Sequence, residues 1–390
     1  MLFRSCRLAG VHCTRWHAGA GSAAQCGTGE PFAVSRRQGT RTQTWAGLSV
    51  VDATTSDVMT ARLVAAYGSS HSTMLFSAEA NWQKLFDHVD VKVPVHDAEG
   101  VERSFDYLLA HLPSDAAGRI APALMAQRHR ATMAALDRLQ RNIAADALDV
   151  LVIVGDDQRE LFKDHSRPAM AIYTGAQIRN AAAPANLPDN WYFHDQARRL
   201  EDGRDVHYPC HPALANFLAQ GLSACDFDFT VVNALVGEQF EGHAYSFVHR
   251  RLTAGLGLPV VPIFLNTYYP PNVPTPQRCR ALGQQLGRLI ASFPAPLRVG
   301  VMASGGLSHF RVDEELDAEV VRALRDNDLT ALAALEPHRL QGGSSEIRNW
   351  ICVAAAVAEA GLALNWLEYV PAYRSRALTG VGLGFARWGK

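Results

Sequence analysis

Long apolar runs are missing from this chain of 390 residues. None reaches the roughly 18 residues that a membrane-spanning helix needs, which excludes an integral helical membrane protein. Paired cysteines are missing as well. The seven cysteines (Cys6, Cys13, Cys26, Cys210, Cys225, Cys279 and Cys352) form no CxxC pair, so a thiolate zinc ribbon or a dithiol redox motif is excluded. Their odd, dispersed placement fits reduced thiols and a cytoplasmic location rather than a disulfide frame. Charge of one sign is not in excess either: 37 Lys and Arg face 38 Asp and Glu, for a net charge of -1. That balance gives no footprint for nucleic acid or for an acidic membrane surface. Finally, no GxSxG elbow is present, so Ser304 or Ser308 beside His309 does not make a hydrolase nucleophile.

What is there is a chain that is 48% hydrophobic and long enough to bury a substantial core. Residues 1–58 stand apart, with Arg4, Arg7, Arg15, Arg36, Arg37 and Arg41 among Ser, Thr, Gly and Ala and few acids. This composition reads as a transit-type leader or a disordered extension outside the mature protein, with Met59 as an alternative start. Residues 59–390 are then expected to form the functional domain.

Within that domain, short β-branched runs alternate with helical patterns. Strands are predicted at Leu63–Tyr67, Val150–Val154, Ala169–Tyr173, Phe227–Val232, Pro259–Leu265, Leu297–Ala303, Leu364–Tyr369 and Gly380–Trp388. Helices are predicted at Ile120–Ala145, His211–Leu222, His243–Leu252, Pro276–Ser292, Asp313–Arg325 and Glu346–Glu359. Interleaving of this kind predicts an α/β fold: one large domain with a mostly parallel central sheet flanked by helices. The connections Met74–Ala117 and Ala181–Pro209 are long enough to cover a site.

In open α/β sheets, ligands bind beyond the carboxyl ends of the strands. Three predicted strands end in Gly-bearing polar turns: GSSHS with His71, GDDQ with Gln158, and SGGLSH with His309. Two helix starts add His243, in GHAYSF, and Glu346, in GGSSEIRNW. His71, Glu346 and a third polar group would suit Fe(II) as a facial triad with open positions for substrate and O2. His243 and His309 are candidates for proton transfer, since imidazole titrates near neutrality. Asp156 and Asp157 read as residues that orient donors or simply shape the turn. The loop Asn266-Thr267-Tyr268-Tyr269-Pro270-Pro271-Asn272 is a candidate pocket wall.

Taken in order, SSHS, GDDQ, GHAYSF, PVVPIFLNTYYPPN, SGGLSH and GGSSEIRNW resemble the class III (LigB-type) extradiol ring-cleaving dioxygenases over Met59 to about Trp366. The resemblance implies a LigB-like fold and a non-haem Fe(II) centre. The activity it implies is opening of a catechol-type ring (gallate, methylgallate or protocatechuate-like) with both atoms of O2. It implies His71 and Glu346 as metal ligands and His243 and His309 as catalytic acid/base residues. In many relatives the GDDQ position ends in Asp-His and that histidine is the second ligand; here it is Gln158. Three readings remain open at this point: ligation by the Gln158 amide oxygen, recruitment of His165 from KDHSRP, or a relative that binds without catalysis or holds another metal. Asn266, Tyr268, Tyr269 and Arg348 are the candidate substrate contacts, Arg348 for a carboxylate. The implied partners are a small aromatic diol and O2, and the family's habit of assembly implies a homo-oligomer.

Overall fold

The computed structural model describes residues 59–87 and 95–390, all of them in one unit. The expected extension, residues 1–58, lies outside the described residues. The main sheet is built from β1 (Arg62–Ser69), β2 (Val150–Asp156), β3 (Met170–Tyr173), β4 (Thr230–Val232), β5 (Val260–Leu265), β6 (Arg298–Ser304), β7 (His309–Arg311), β8 (Ala363–Tyr373) and β9 (Thr379–Gly389). Their order is β7-β9-β1-β6-β2-β5-β3-β4, with β8 paired to the outer length of β9. The centre, β1-β6-β2-β5, is parallel throughout. Antiparallel pairings flank it: β9 against β1 on one side and β3 against β5 on the other.

The parallel centre follows from the apolar runs. Val150 to Asp156 is buried at every position, as a strand covered on both faces must be. Successive side chains then alternate between two cores. Val150, Val152 and Val154 join Val299, Val301, Val261 and Ile263 on one face, beneath helices Pro212–Ala224, Pro276–Ser292, Glu314–Arg325 and Ile347–Ala360. Leu151, Ile153, Met302 and Phe264 point the other way, onto helix Pro122–Ala145 and the segment His243–Leu252. Burying a leucine or isoleucine on either face contributes about 1.5–3 kcal/mol.

The predicted strands and helices match within a few residues, but the long connections are not bare loops. Residues 95–103 and 177–209 each contain a two-stranded hairpin, Val95–His96 with Glu102–Arg103 and Gln177–Asn180 with Val206–Pro209. The helix expected over His243–Leu252 turns α-helical at His243–Phe247 and then widens to a π-helix at Val248–Leu252. Among the described residues, no helix is long and apolar enough to cross a membrane.

Candidate active site

The carboxyl ends of β1, β2 and β6 converge, as the topology requires. His71 follows β1 by two residues, Asp156 closes β2, and Ser304 closes β6. The short turn Gly342–Glu346 brings Glu346 to the same place, and Gly242 delivers His243 at the head of its helix. Gly242 has φ of +83°, and a Cβ there would lie 2.9 Å from Glu160 Oε2, so the turn needs glycine. Gly343 is needed for contact: a Cβ would come within 1.9 Å of the His309 ring.

The hydrogen bonds assign the protons. Ser304 Oγ donates to Ala244 O at 2.6 Å, so it must accept from His71 Nδ1–H at 3.1 Å. His71 Nε2 is then a bare lone pair. It faces Glu346 Oε2 at 3.2 Å and Asp156 Oδ1 at 3.8 Å, and neither His71 Nε2 nor Asp156 Oδ1 has a hydrogen-bond partner. Similarly, Glu160 Oε2 accepts from His243 Nδ1–H at 2.6 Å and from His243 N–H at 2.8 Å. His243 Nε2 faces the Gln158 amide nitrogen at 3.4 Å and Asp156 Oδ2 at 3.6 Å. Donor atoms of His71, Asp156, His243 and Glu346 all lie within 4.8 Å of one another. Buried donor atoms that converge in this way, two of them without a hydrogen-bond partner, favour a cation among them. Two imidazoles and two carboxylates form a mixed N/O donor set that fits a divalent transition metal. Glu160 behind His243 supplies the carboxylate–histidine support common around such centres.

His309 is arranged differently. Its Nδ1 faces Leu307 O at 3.0 Å and its Nε2 faces Glu346 Oε1 at 3.0 Å, which suits a ring protonated on both nitrogens. Burial opposes that charge, but the Glu346 carboxylate outweighs it and raises the His309 pKa. Burial also works to raise Glu346, and the His309 and His71 imidazoles hold it well below the usual carboxylate range. Asp156 is pushed up, first by burial and then by the Glu346 charge. Against the cost of burial, Glu160 raises His243 to about 9 and is itself lowered to about 2. Tyr268 is pushed well above its ordinary value by burial and by Glu346, so it stays a phenol and donates to Glu346 Oε1 at 2.5 Å.

The structure therefore gathers His71, Glu346, His243, His309, Gln158 and Tyr268 into one site, and it revises several expectations. Gln158 turns its amide nitrogen inward, 2.9 Å from Tyr268 Oη and 3.4 Å from both Asp156 Oδ2 and Glu346 Oε1. In this arrangement the NH2 group acts as a donor, while Asp156 and His243 bring acceptor atoms to the cluster. His165 is exposed and is not among the clustered donors, so it does not supply the second imidazole. Arg348 is buried and its guanidinium donates to Pro274 O, Leu340 O and Ser345 O; it does not await a carboxylate. Asn266 likewise spends its side chain on its own loop, on Tyr269 N, Tyr269 O and Asn272 Oδ1. Tyr269 lies one residue outside the cluster, its ring under the guanidinium of Arg159. Asp157 shapes the turn, accepting from Leu161 N–H and Phe162 N–H.

Sequence reasoning missed Asp156 as a donor and Glu160 altogether. The usable signal was proximity: Asp156, Gln158 and Glu160 all fall within the turn that closes one strand, where the site lies.

Residues 107–385 match the family model described as the catalytic LigB subunit of aromatic ring-opening dioxygenase. His71 precedes the matched stretch; Asp156, His243, His309 and Glu346 lie inside it. Over 101 residues the chain is 34% identical to a gallate dioxygenase of Pseudomonas putida, covering 25% of this chain and 28% of that one. Over 51 residues it is 43% identical to a 2,3-dihydroxyphenylpropionate/2,3-dihydroxicinnamic acid 1,2-dioxygenase of Comamonas testosteroni, covering 13% and 15%. The chain thus spans less than a third of the length of either relative. The family match covers well over half of this chain, its fold is the one the sequence resemblance implied, and the chain belongs to the family of catalytic LigB subunits of aromatic ring-opening dioxygenases.

Proposed function

We propose that the chain is an Fe(II)-dependent extradiol dioxygenase that opens the ring of a catechol-type diol with O2. The observation that carries this reading is the convergence of buried donor atoms of His71, Asp156, His243 and Glu346 within 4.8 Å of one another, with His71 Nε2 and Asp156 Oδ1 left without a hydrogen-bond partner. Those four residues would hold the metal. Fe(II) bound there would supply a Lewis acid for the diol and an electron path between diol and O2.

The remaining residues have roles of their own. Glu160 keeps the His243 proton on Nδ1, so that Nε2 faces inward. Gln158 and Tyr268, the half-buried members of the cluster, form its outer wall, and Gln158 presents N–H donors to an incoming diol. His309 holds a proton at Nε2 beside Glu346, in position to release it to an oxygen that gains charge as the ring opens. Substrates of the gallate, methylgallate and protocatechuate type are favoured by the relatives' names, among them a gallate dioxygenase.

The test is oxygen consumption by the full chain reconstituted anaerobically with Fe(II), supplied with gallate, 3-O-methylgallate and protocatechuate. Uptake coupled to a yellow ring-opened product is expected. A chain that binds no stoichiometric Fe(II) and consumes no oxygen with any of them sinks the reading. That result would favour the non-catalytic relative suggested by glutamine at position 158.

A further inference from the structure

The site is anionic inside and cationic at its edge. Four carboxylates, Asp156, Asp157, Glu160 and Glu346, cluster there, with His309 3.0 Å from Glu346 and Arg199 3.7 Å from Glu160 as cationic partners. Gln158 and Tyr268 form the half-buried outer wall. Beyond this wall the charge reverses, at Arg159 next to Gln158 and at Arg167, both beside the Tyr269 ring. The guanidinium of Arg159 lies 4.6 Å above the Tyr269 ring, and that of Arg167 lies 5.6 Å from the same ring. The Tyr269 hydroxyl is within electrostatic reach of Arg159 on one side and of Asp157, Asp156 and Glu160 on the other, so it marks the boundary.

These two cations are weakly spent. Among the described residues Arg159 forms an ion pair only with Asp164, at 3.4 Å, and that carboxylate is 73% exposed, so water screens the pair. Among the described residues, no ion pair is found for Arg167. Arg159 also holds φ of +62°, a left-handed conformation that non-glycine residues seldom adopt. The Asp157 carboxylate holds the turn in this shape by accepting from Leu161 N–H and Phe162 N–H. The two rings of Tyr268 and Tyr269, 5.9 Å apart, connect the arginines to the inner site.

We infer that Arg159 and Arg167 are specificity residues that receive an anionic substituent of the aromatic diol, carried on the side of the ring away from its hydroxyls. The physical reason is orientation. The diol must point inward, where the metal donors are; an anion pointing inward would meet Asp156 and Glu346 at short range, whereas outward it meets two guanidinium groups beside the Tyr269 ring. This inference rests on the proposed diol reaction and adds which end of the substrate faces out and what reads it.

The test compares two ligands of equal shape, 3,4-dihydroxybenzoate and its neutral primary amide. Their binding to the Fe(II)-loaded full chain is measured anaerobically by calorimetry, with oxygen uptake recorded separately. The native chain should bind the carboxylate on the order of tenfold to a hundredfold more tightly than the amide, as expected for a charge-assisted contact. The Arg159→Gln/Arg167→Gln double variant should lose about tenfold or more of that preference, a ratio that a general loss of structure would not move selectively. Equal binding of the two ligands by the native chain, or an unchanged preference in the double variant, overturns the inference. Oxygen uptake with either diol upholds the reaction independently; no binding and no uptake overturns both.

Discussion

Glu160→Gln is the perturbation that most sharply separates a metal centre from a merely well-packed polar cluster. The Glu160 carboxylate accepts from the His243 ring at 2.6 Å and from its backbone N–H at 2.8 Å, and it lies 3.7 Å from the Arg199 guanidinium. Glutamine preserves the shape and one acceptor oxygen but removes the charge. A hydrogen bond to a charged group contributes about 1.5–3 kcal/mol and a neutral one about 0.5–1.5, so two weakened bonds amount to about 2–3 kcal/mol. If His243 is a metal donor, much of that loss appears in metal affinity, because the ring is less basic and less firmly aimed. Changes to such supporting groups cost about 10–100-fold in affinity. The assay is anaerobic competition for Fe(II) against a coloured chelator, with thermal unfolding of the metal-free chain alongside. A variant that loses thermal stability yet binds Fe(II) within about twofold of the native chain would refute the reasoning, since Glu160 would then act on folding alone.

Three further outcomes follow from the same geometry. His243→Ala and His71→Ala should each weaken Fe(II) binding at least about a hundredfold, whereas Gln158→Ala should cost about tenfold or less, read by the same competition; the reverse ranking would restore the amide as ligand. Arg348→Met should destabilise the fold by about 3 kcal/mol or more in urea melts, because three buried carbonyls lose their donor, while the affinity for diol is unaltered. Asp317 is buried and its pKa is pushed up to about 6 by that burial, against bonds from Tyr369 and Ser308. The folded chain therefore holds its proton more tightly than the unfolded chain, so stability falls as pH rises from the ordinary value of 3.8 through about 6. The stability difference between the native chain and Asp317→Asn should accordingly change by roughly 2 kcal/mol between pH about 4.5 and about 7.5, to the detriment of the native aspartate at the higher pH.

Much of this architecture was legible because it is written in local patterns. The run Val150–Val154 is apolar at every position and bounded by glycine, which demands a strand covered on both faces. The strand-end rule then placed His71, the GDDQ turn and His309 at one end of the sheet. What was hidden depends on contacts distant in sequence. Glu160 reads as an ordinary turn acid until His243, 83 positions away, is seen to donate to it. Asp156 reads as a helper until its Oδ1 is found without a partner. Arg348 could have been excluded earlier: at about 100° per residue, two steps from Glu346 carry a side chain to the far side of the helix. The hairpins within 95–103 and 177–209 escaped notice because their strands are only two to four residues long, too short for alternation to register.

The central claim is that this buried cluster spends O2 on opening an aromatic ring. Turnover of the Fe(II)-loaded full chain under isotopically labelled O2, with mass spectrometry of the product, tests it most directly. The account predicts a ring-opened product carrying both labelled oxygen atoms, formed only when His71 and Glu346 are intact. A product with one labelled atom or none, or oxygen uptake that survives His71→Ala and Glu346→Gln, would contradict it.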